Sequence, residues 1–189
     1  MMGLGLLLMA PLLAAQPRIQ NAQVETRAVS GPLETAFSAI VNAQPGPAWI
    51  AYAVPQTPGA YRANSWNECG TIRLEGASDY LIFYRIESKQ VERIRTFPAD
   101  CLVDAGGLPV FWLNGVDAAE SVGLLTSLIP RFSNQAISAI ALHRDGVIAL
   151  ADIARHGNDA GIRKRALALL SRSKDPRAAK FFDEVLANR

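Results

Sequence analysis

The side chains in this chain that could do chemistry are few and scattered. A nucleophilic triad needs a serine or cysteine, a histidine and an acid that meet in space. The only histidines are His143 and His156, and no G-x-S-x-G pattern frames a serine. His143 follows an apolar run, and His156 precedes Gly157, where an imidazolium suits a helix C-terminus. Both read as structural. Gly106-Gly107 lies between short strand-like segments rather than ahead of a long helix, which suits a tight turn better than a phosphate cradle. Asp183-Glu184 are adjacent and so point in different directions around a helix, as on a solvated face. No catalytic residue, cofactor or metal is expected.

The two cysteines, Cys69 and Cys101, form an isolated pair. A zinc site needs about four ligands, and both histidines belong to a different segment. Two buried thiols or half a metal site remain as alternatives, but a disulfide is the simplest reading in an oxidising compartment. Closing such a loop stabilises by roughly 3–4 kcal/mol in the chain-entropy model. Arg163-Lys164-Arg165 is the densest basic cluster. Residues 131–189 hold 11 basic and 6 acidic side chains, whereas residues 16–130 hold 8 and 11. Acids interrupt the array, so a mostly solvated face is expected, with Lys164 and Arg165 as a weak surface for an anionic partner. Nucleic acid is not expected as a partner. Trp66, in a long polar stretch beside Cys69, is the aromatic best placed to anchor a partner.

The compartment follows from the N-terminus. Residues 4–15 form an apolar run ending in Ala14-Ala15, too short to span a membrane and of the size of a secretory leader. The segment before it has no Lys or Arg, and Leu13 would occupy the −3 position for cleavage after Ala15. A buried or frayed helix is the alternative. Residues 1–15 are therefore assigned to a signal peptide, and the protein to the periplasm or the secreted fraction. Across all 189 residues, 50% hydrophobic and 19% charged content excludes a disordered chain, a coiled coil or a multi-pass membrane protein.

The elements that must position these residues fall into two textures. Residues 16–30 are polar without a period and read as a flexible lead-in. Residues 31–115 read as a disulfide-stapled, β-rich domain. Gly31-Pro32 opens one helix with Leu33, Phe37, Ile40 and Val41 inward. Strand signals follow at 49–54 (WIAYAV), 71–75 (TIRLE), 80–87 (YLIFYRIE), 91–97 (VERIRTF) and 108–113 (LPVFWL). Residues 80–87 and 91–97 pair antiparallel through a tight turn near Ser88-Lys89. Residues 116–189 are helical: five short helices with polar links, Asp117, Ser133 or Asn134, Asp145, Asp159 and Asp175 standing at cap positions. Pro130 reads as the end of the first, and Pro176 as the first helical residue of the last. The expected fold is α+β, a small antiparallel β layer with one helix followed by a short helical array.

Asp145 and Asp175 open corresponding helices 30 residues apart. The pattern Asp159-x-x-Ile162-Arg163-x-x-Ala166-x-Ala168-Leu169 resembles the second helix of HEAT-like repeats. Asp175-Pro176-Arg177-Ala178 resembles the inter-repeat turn of the short class first named from phycobilisome lyases. Over most of the chain, the stretches 49–55, 91–101 and 102–122 are similar to bacterial secreted proteins described as containing HEAT repeats. The resemblance implies a short solenoid in which Asp159 and Arg163 tie neighbouring repeats, with Asp175 and Pro176 at the turn. It implies no catalytic residues. The reading reached is an exported, non-enzymatic interaction or scaffold protein, bound to another envelope or secreted protein through its repeats or the Trp66 loop. An enzyme accessory of the lyase-associated repeat class, or a lipid- or glycan-binding module using the aromatic strands, are the alternatives.

Overall fold

A computed structural model describes residues 18–55 and 79–187. The leader, the 56–68 loop with Trp66, Cys69 and the 71–75 strand lie outside the described residues. The elements run β1 (Arg18–Gln20), β2 (Val24–Ala28), α1 (Leu33–Ala43), β3 (Ala48–Pro55), β4 (Asp79–Glu87), β5 (Gln90–Pro98), β6 (Leu102–Asp104) and β7 (Val110–Asn114), then α2 (Ala118–Ser127), α3 (Ile129–Ile140), α4 (Gly146–His156), α5 (Ala160–Leu170) and α6 (Pro176–Ala187).

Five strands form one sheet in the order β2-β7-β3-β4-β5, and β1 pairs with β6 beside it. The β3–β4–β5 meander is antiparallel, with Trp49 opposite Arg85 and Glu87 opposite Gln90 across the expected Ser88-Lys89 turn. The sheet as a whole is mixed, which corrects the antiparallel expectation. β7 runs parallel to both β3 and β2, and β1 runs parallel to β6. Strand direction is set by the connections, and residues 102–114 return to the sheet only after a crossover. The expected lead-in likewise carries two strands. Their side chains are largely exposed, so no apolar alternation marks them; their order comes from backbone pairing to β6 and β7.

Both faces of the central strands are covered. Alternation places Tyr80, Ile82, Tyr84 and Ile86 on one face, with Ile50, Tyr52, Phe111 and Leu113. There α1 buries Leu33, Phe37, Ile40 and Val41, and Phe37 meets the Tyr84 ring edge-on at 5.0 Å. This core continues without a break through Leu125, Ile137, Leu150 and Leu169 to Phe181. The other face packs Leu81, Phe83, Val110 and Trp112 against Ile19 and Val103 of the β1–β6 pair. The strand aromatics Tyr52, Tyr80, Phe83, Tyr84, Phe111 and Trp112 are thus buried in packing.

Five helices follow β7 among the described residues, the number expected, although α3 begins at Ile129 with Leu128 before it rather than at a Ser133 or Asn134 cap. Asp117 accepts hydrogen bonds from the Ala119 and Glu120 amides at the start of α2. Glu120 does not close a reciprocal box. Its carboxylate accepts from the Leu33 amide at 3.2 Å, an N–H that the first turn of α1 leaves without an intrahelical partner. Pro130 sits in the first turn of α3 rather than ending α2, and the backbone at Phe132 is non-helical, so the regular helix resumes near Ser133. No helix among the described residues is long and apolar enough to cross a membrane.

Candidate functional site

Two polar constellations stand out, one sealed and one open. The sealed one joins the sheet to the helices. Tyr84 Oη lies 2.7 Å from Tyr52 Oη, which lies 2.7 Å from Ser121 Oγ, and that oxygen is 2.8 Å from His143 Nε2. His143 Nδ1 is 2.9 Å from the Ala139 carbonyl. A carbonyl only accepts, so Nδ1 carries the proton. Burial holds the imidazole pKa below its usual value and keeps the ring neutral, which leaves Nε2 as an acceptor. The chain therefore has one direction: Tyr84 donates to Tyr52, Tyr52 to Ser121, and Ser121 to His143. Burial also pushes the Tyr52 phenol up to about 12 and Tyr84 well above its ordinary value.

A serine 2.8 Å from an imidazole has the spacing of a nucleophile and its base. Ser121 is 0% exposed, however, and His143 2%, with a backbone carbonyl where a triad would place its acid. The cluster works as a polar dowel through an apolar interface. His156, by contrast, is exposed on α4 and bonds to Asp152 at 2.8 Å.

The open constellation lies on the helices, between α4 and α6. A groove of about 300 Å³ runs there, floored by Val147, Ala151 and Phe181. Ile148 stands at its edge, 58% exposed. Its walls are fixed by charge. Arg155 bonds to Glu184 at 2.6 Å and lies 4.7 Å above the Phe181 ring. At the other end Arg177 donates to Asp175, to Asp145 at 2.8 Å and to the Arg144 carbonyl at 2.7 Å, spanning from the start of α6 to the start of α4. Hydrogen bonding to Arg177 holds the Asp175 carboxyl below the usual carboxylate range. Lys180, also lining the groove, has no acidic partner within 4 Å among the described residues.

The residues singled out in the sequence surround this groove without all entering it. Asp159 caps its own helix through the Ile162 amide at 3.0 Å, and Arg163 donates to the Gly157 carbonyl at 2.7 Å across the α4–α5 connection. Asp175 accepts from the Arg177 amide, with Pro176 as the first residue of α6. Asp145 stands at the start of α4 but makes no side-chain cap; its carboxylate goes to Arg177 instead. Lys164 is exposed on α5, and Arg165 donates to Ser138 Oγ of α3 at 3.0 Å, outside the groove. Cys101 is buried, and no free cysteine occurs among the described residues. Nor does any group of three or more metal-ligating side chains.

Sequence reading passed over Arg155, Lys180 and Glu184 as solvated charges. The signal that would have found them is the 30-residue spacing of Asp145 and Asp175. Arg155 and Glu184 are 29 apart, and Asp145 and Arg177 are 32 apart, close to the 30 residues that separate Asp145 from Asp175. Comparison with models of known protein families, with curated proteins and with solved structures finds no match.

Proposed function

We propose that this chain is an exported, non-enzymatic interaction protein whose helices form a short HEAT-like array, with the α4–α6 groove receiving an acidic, amphipathic segment of another envelope or secreted protein. The observation that carries the reading is the groove's composition. An exposed Ile148 and an apolar floor adjoin Lys180, which has no acidic partner among the described residues, and ion pairs hold both walls in place before anything binds. The excess of 11 basic over 6 acidic residues in 131–189 favours an acidic partner and faster encounter with it. The contacts made by Arg155 and Arg177 at about one repeat period support the HEAT-like arrangement. A Cys69–Cys101 disulfide, tying the Trp66 loop to the segment after β5, fits the same exported reading.

A photo-crosslinking residue at position 148, expressed in the native host, tests this. A discrete protein adduct is expected, lost on Lys180→Glu and not formed from position 24, an exposed apolar site on the sheet. Equal labelling from both positions, or none from 148, would refute the reading.

A further inference from the structure

A second pocket, of about 620 Å³, opens on the face of the sheet away from α1, against Trp49, Arg85 and Arg93 on β3, β4 and β5, with Glu87, Ser88 and Glu92 at its margin. Trp49 is the register partner of Arg85, and Arg85 of Arg93, so the three stand in one row across the strands. Two features of that row call for an acceptor. Trp49 Nε1 and Arg85 Nη1 are both buried donors without a hydrogen-bond partner. Arg85 and Arg93 are like charges directly opposite each other, an arrangement that costs stability when nothing lies between them.

The neighbouring acids do not answer this demand. Glu87 takes the other terminal nitrogen of Arg85, at 3.5 Å, and Glu92 is drawn to Arg131 at 3.7 Å. That leaves three guanidinium groups against two carboxylates. The Arg85 guanidinium carbon lies 5.7 Å from the Trp49 ring centroid, so the flat cation and the indole form two adjoining walls.

We propose that this pocket binds an organic carboxylate, its two oxygens accepting from Trp49 Nε1–H and Arg85 Nη1–H and its body lying along the indole. A planar oxyanion suits the flat guanidinium edge, and two in-register strands present the donors side by side. The volume is that of a small-molecule site rather than of a lone ion. Arg93 supplies the second positive charge from the exposed edge strand.

The indole N–H resonances of the full-length protein, titrated with benzoate, read this site directly. The Trp49 signal, identified by its loss in Trp49→Phe, is expected to shift and saturate. That of Trp112 should hold still, because its Nε1–H already donates to Asn114 Oδ1 at 2.9 Å. Benzamide, of the same shape without the charge, is expected to bind at least about tenfold more weakly, as is benzoate to Arg85→Gln. Should Arg85→Gln fail to fold, Arg93→Gln on the exposed strand edge takes its place, with about a threefold loss expected. A tripeptide ending in phenylalanine separates the two sources of such a group. Tighter binding of the peptide assigns a chain terminus and tighter binding of benzoate a free acid, and either carries the proposal. No movement of the Trp49 signal, or equal movement with benzamide, overturns it.

Discussion

Ser121 Oγ donates to His143 Nε2 at 2.8 Å inside a wall of apolar side chains, and this bond decides the direction of every other in its chain. Because the histidine is neutral, Ser121 and Tyr52 each accept one hydrogen bond and donate one, Tyr84 donates at the head of the chain, and none competes. A buried network satisfied throughout holds the sheet and helices in one alignment, where an apolar contact would tolerate sliding.

Ser121→Ala is expected to destabilise the protein by about 1–3 kcal/mol, since it strands a donor on Tyr52 and an acceptor on His143. Urea denaturation measures it. The double variant Ser121→Ala/Tyr52→Phe should recover part of the loss. If the two changes simply add, the chain is not acting as a network.

Acid should weaken the fold through the same histidine. The unfolded chain protonates this imidazole near pH 6.5, and the folded one only at lower pH. The unfolded state therefore binds more protons in that window, and stability falls as pH drops below about 6.5 while remaining full above it. The depressed Asp175 carboxyl adds a further loss in more acid solution. Comparing the urea midpoints of wild type and His143→Gln between pH 7 and 5 checks this. A steeper fall in wild type is expected, and parallel profiles would contradict it.

At the alkaline end the sign reverses. Tyr52 and Tyr84 hold their protons above the usual tyrosine value, so the unfolded state loses protons first and stability declines above about pH 10. At pH 11, before unfolding, tyrosinate absorbance should account for no more than two of the four tyrosines.

A β-carbon at Gly146 would run into the Ile140 carbonyl oxygen, which is backbone and has no room to move aside. Gly146→Ala should cost about 1–3 kcal/mol in thermal or urea unfolding, as overpacked positions do. Gly123→Ala, with nothing near the added carbon, should be neutral or mildly stabilising.

The β4–β5 hairpin turns through Ser88 and Lys89, both at positive φ, +51° and +56°. Asn-Gly in their place should stabilise by about 1 kcal/mol, because that turn requires a left-handed backbone at both positions. No gain in melting temperature would mean that those side chains make compensating contacts.

What the sequence conveyed was whatever repeats locally. Leu33, Phe37, Ile40 and Val41 mark the buried face of α1 by spacing alone, and Tyr80 to Ile86 mark a sheet face by alternation. Asp117 and Asp159 mark helix starts because capping is a contact between near neighbours. The parallel course of β7 was not legible, since strand direction depends on a crossover rather than on composition. Nor were β1 and β2, held by backbone pairing to partners more than 80 residues away. The groove walls were half-legible. The 30-residue spacing of Asp145 and Asp175 was visible, but that Arg155 meets Glu184 required the packing of α4 on α6.

The position of β2 carries one more implication, about the order in which this molecule can come together. Val24 has its sheet partner in Val110, whereas the β4–β5 turn closes across two residues. The meander can zip as soon as it is made, but β2 has nowhere to dock until β7 lies beside β3. β2 is thus expected to be the last of the five strands to be fitted. A protein assembled in that sequence keeps the β2 position of its sheet empty until residues 110–114, beyond the midpoint of the 189, are in place.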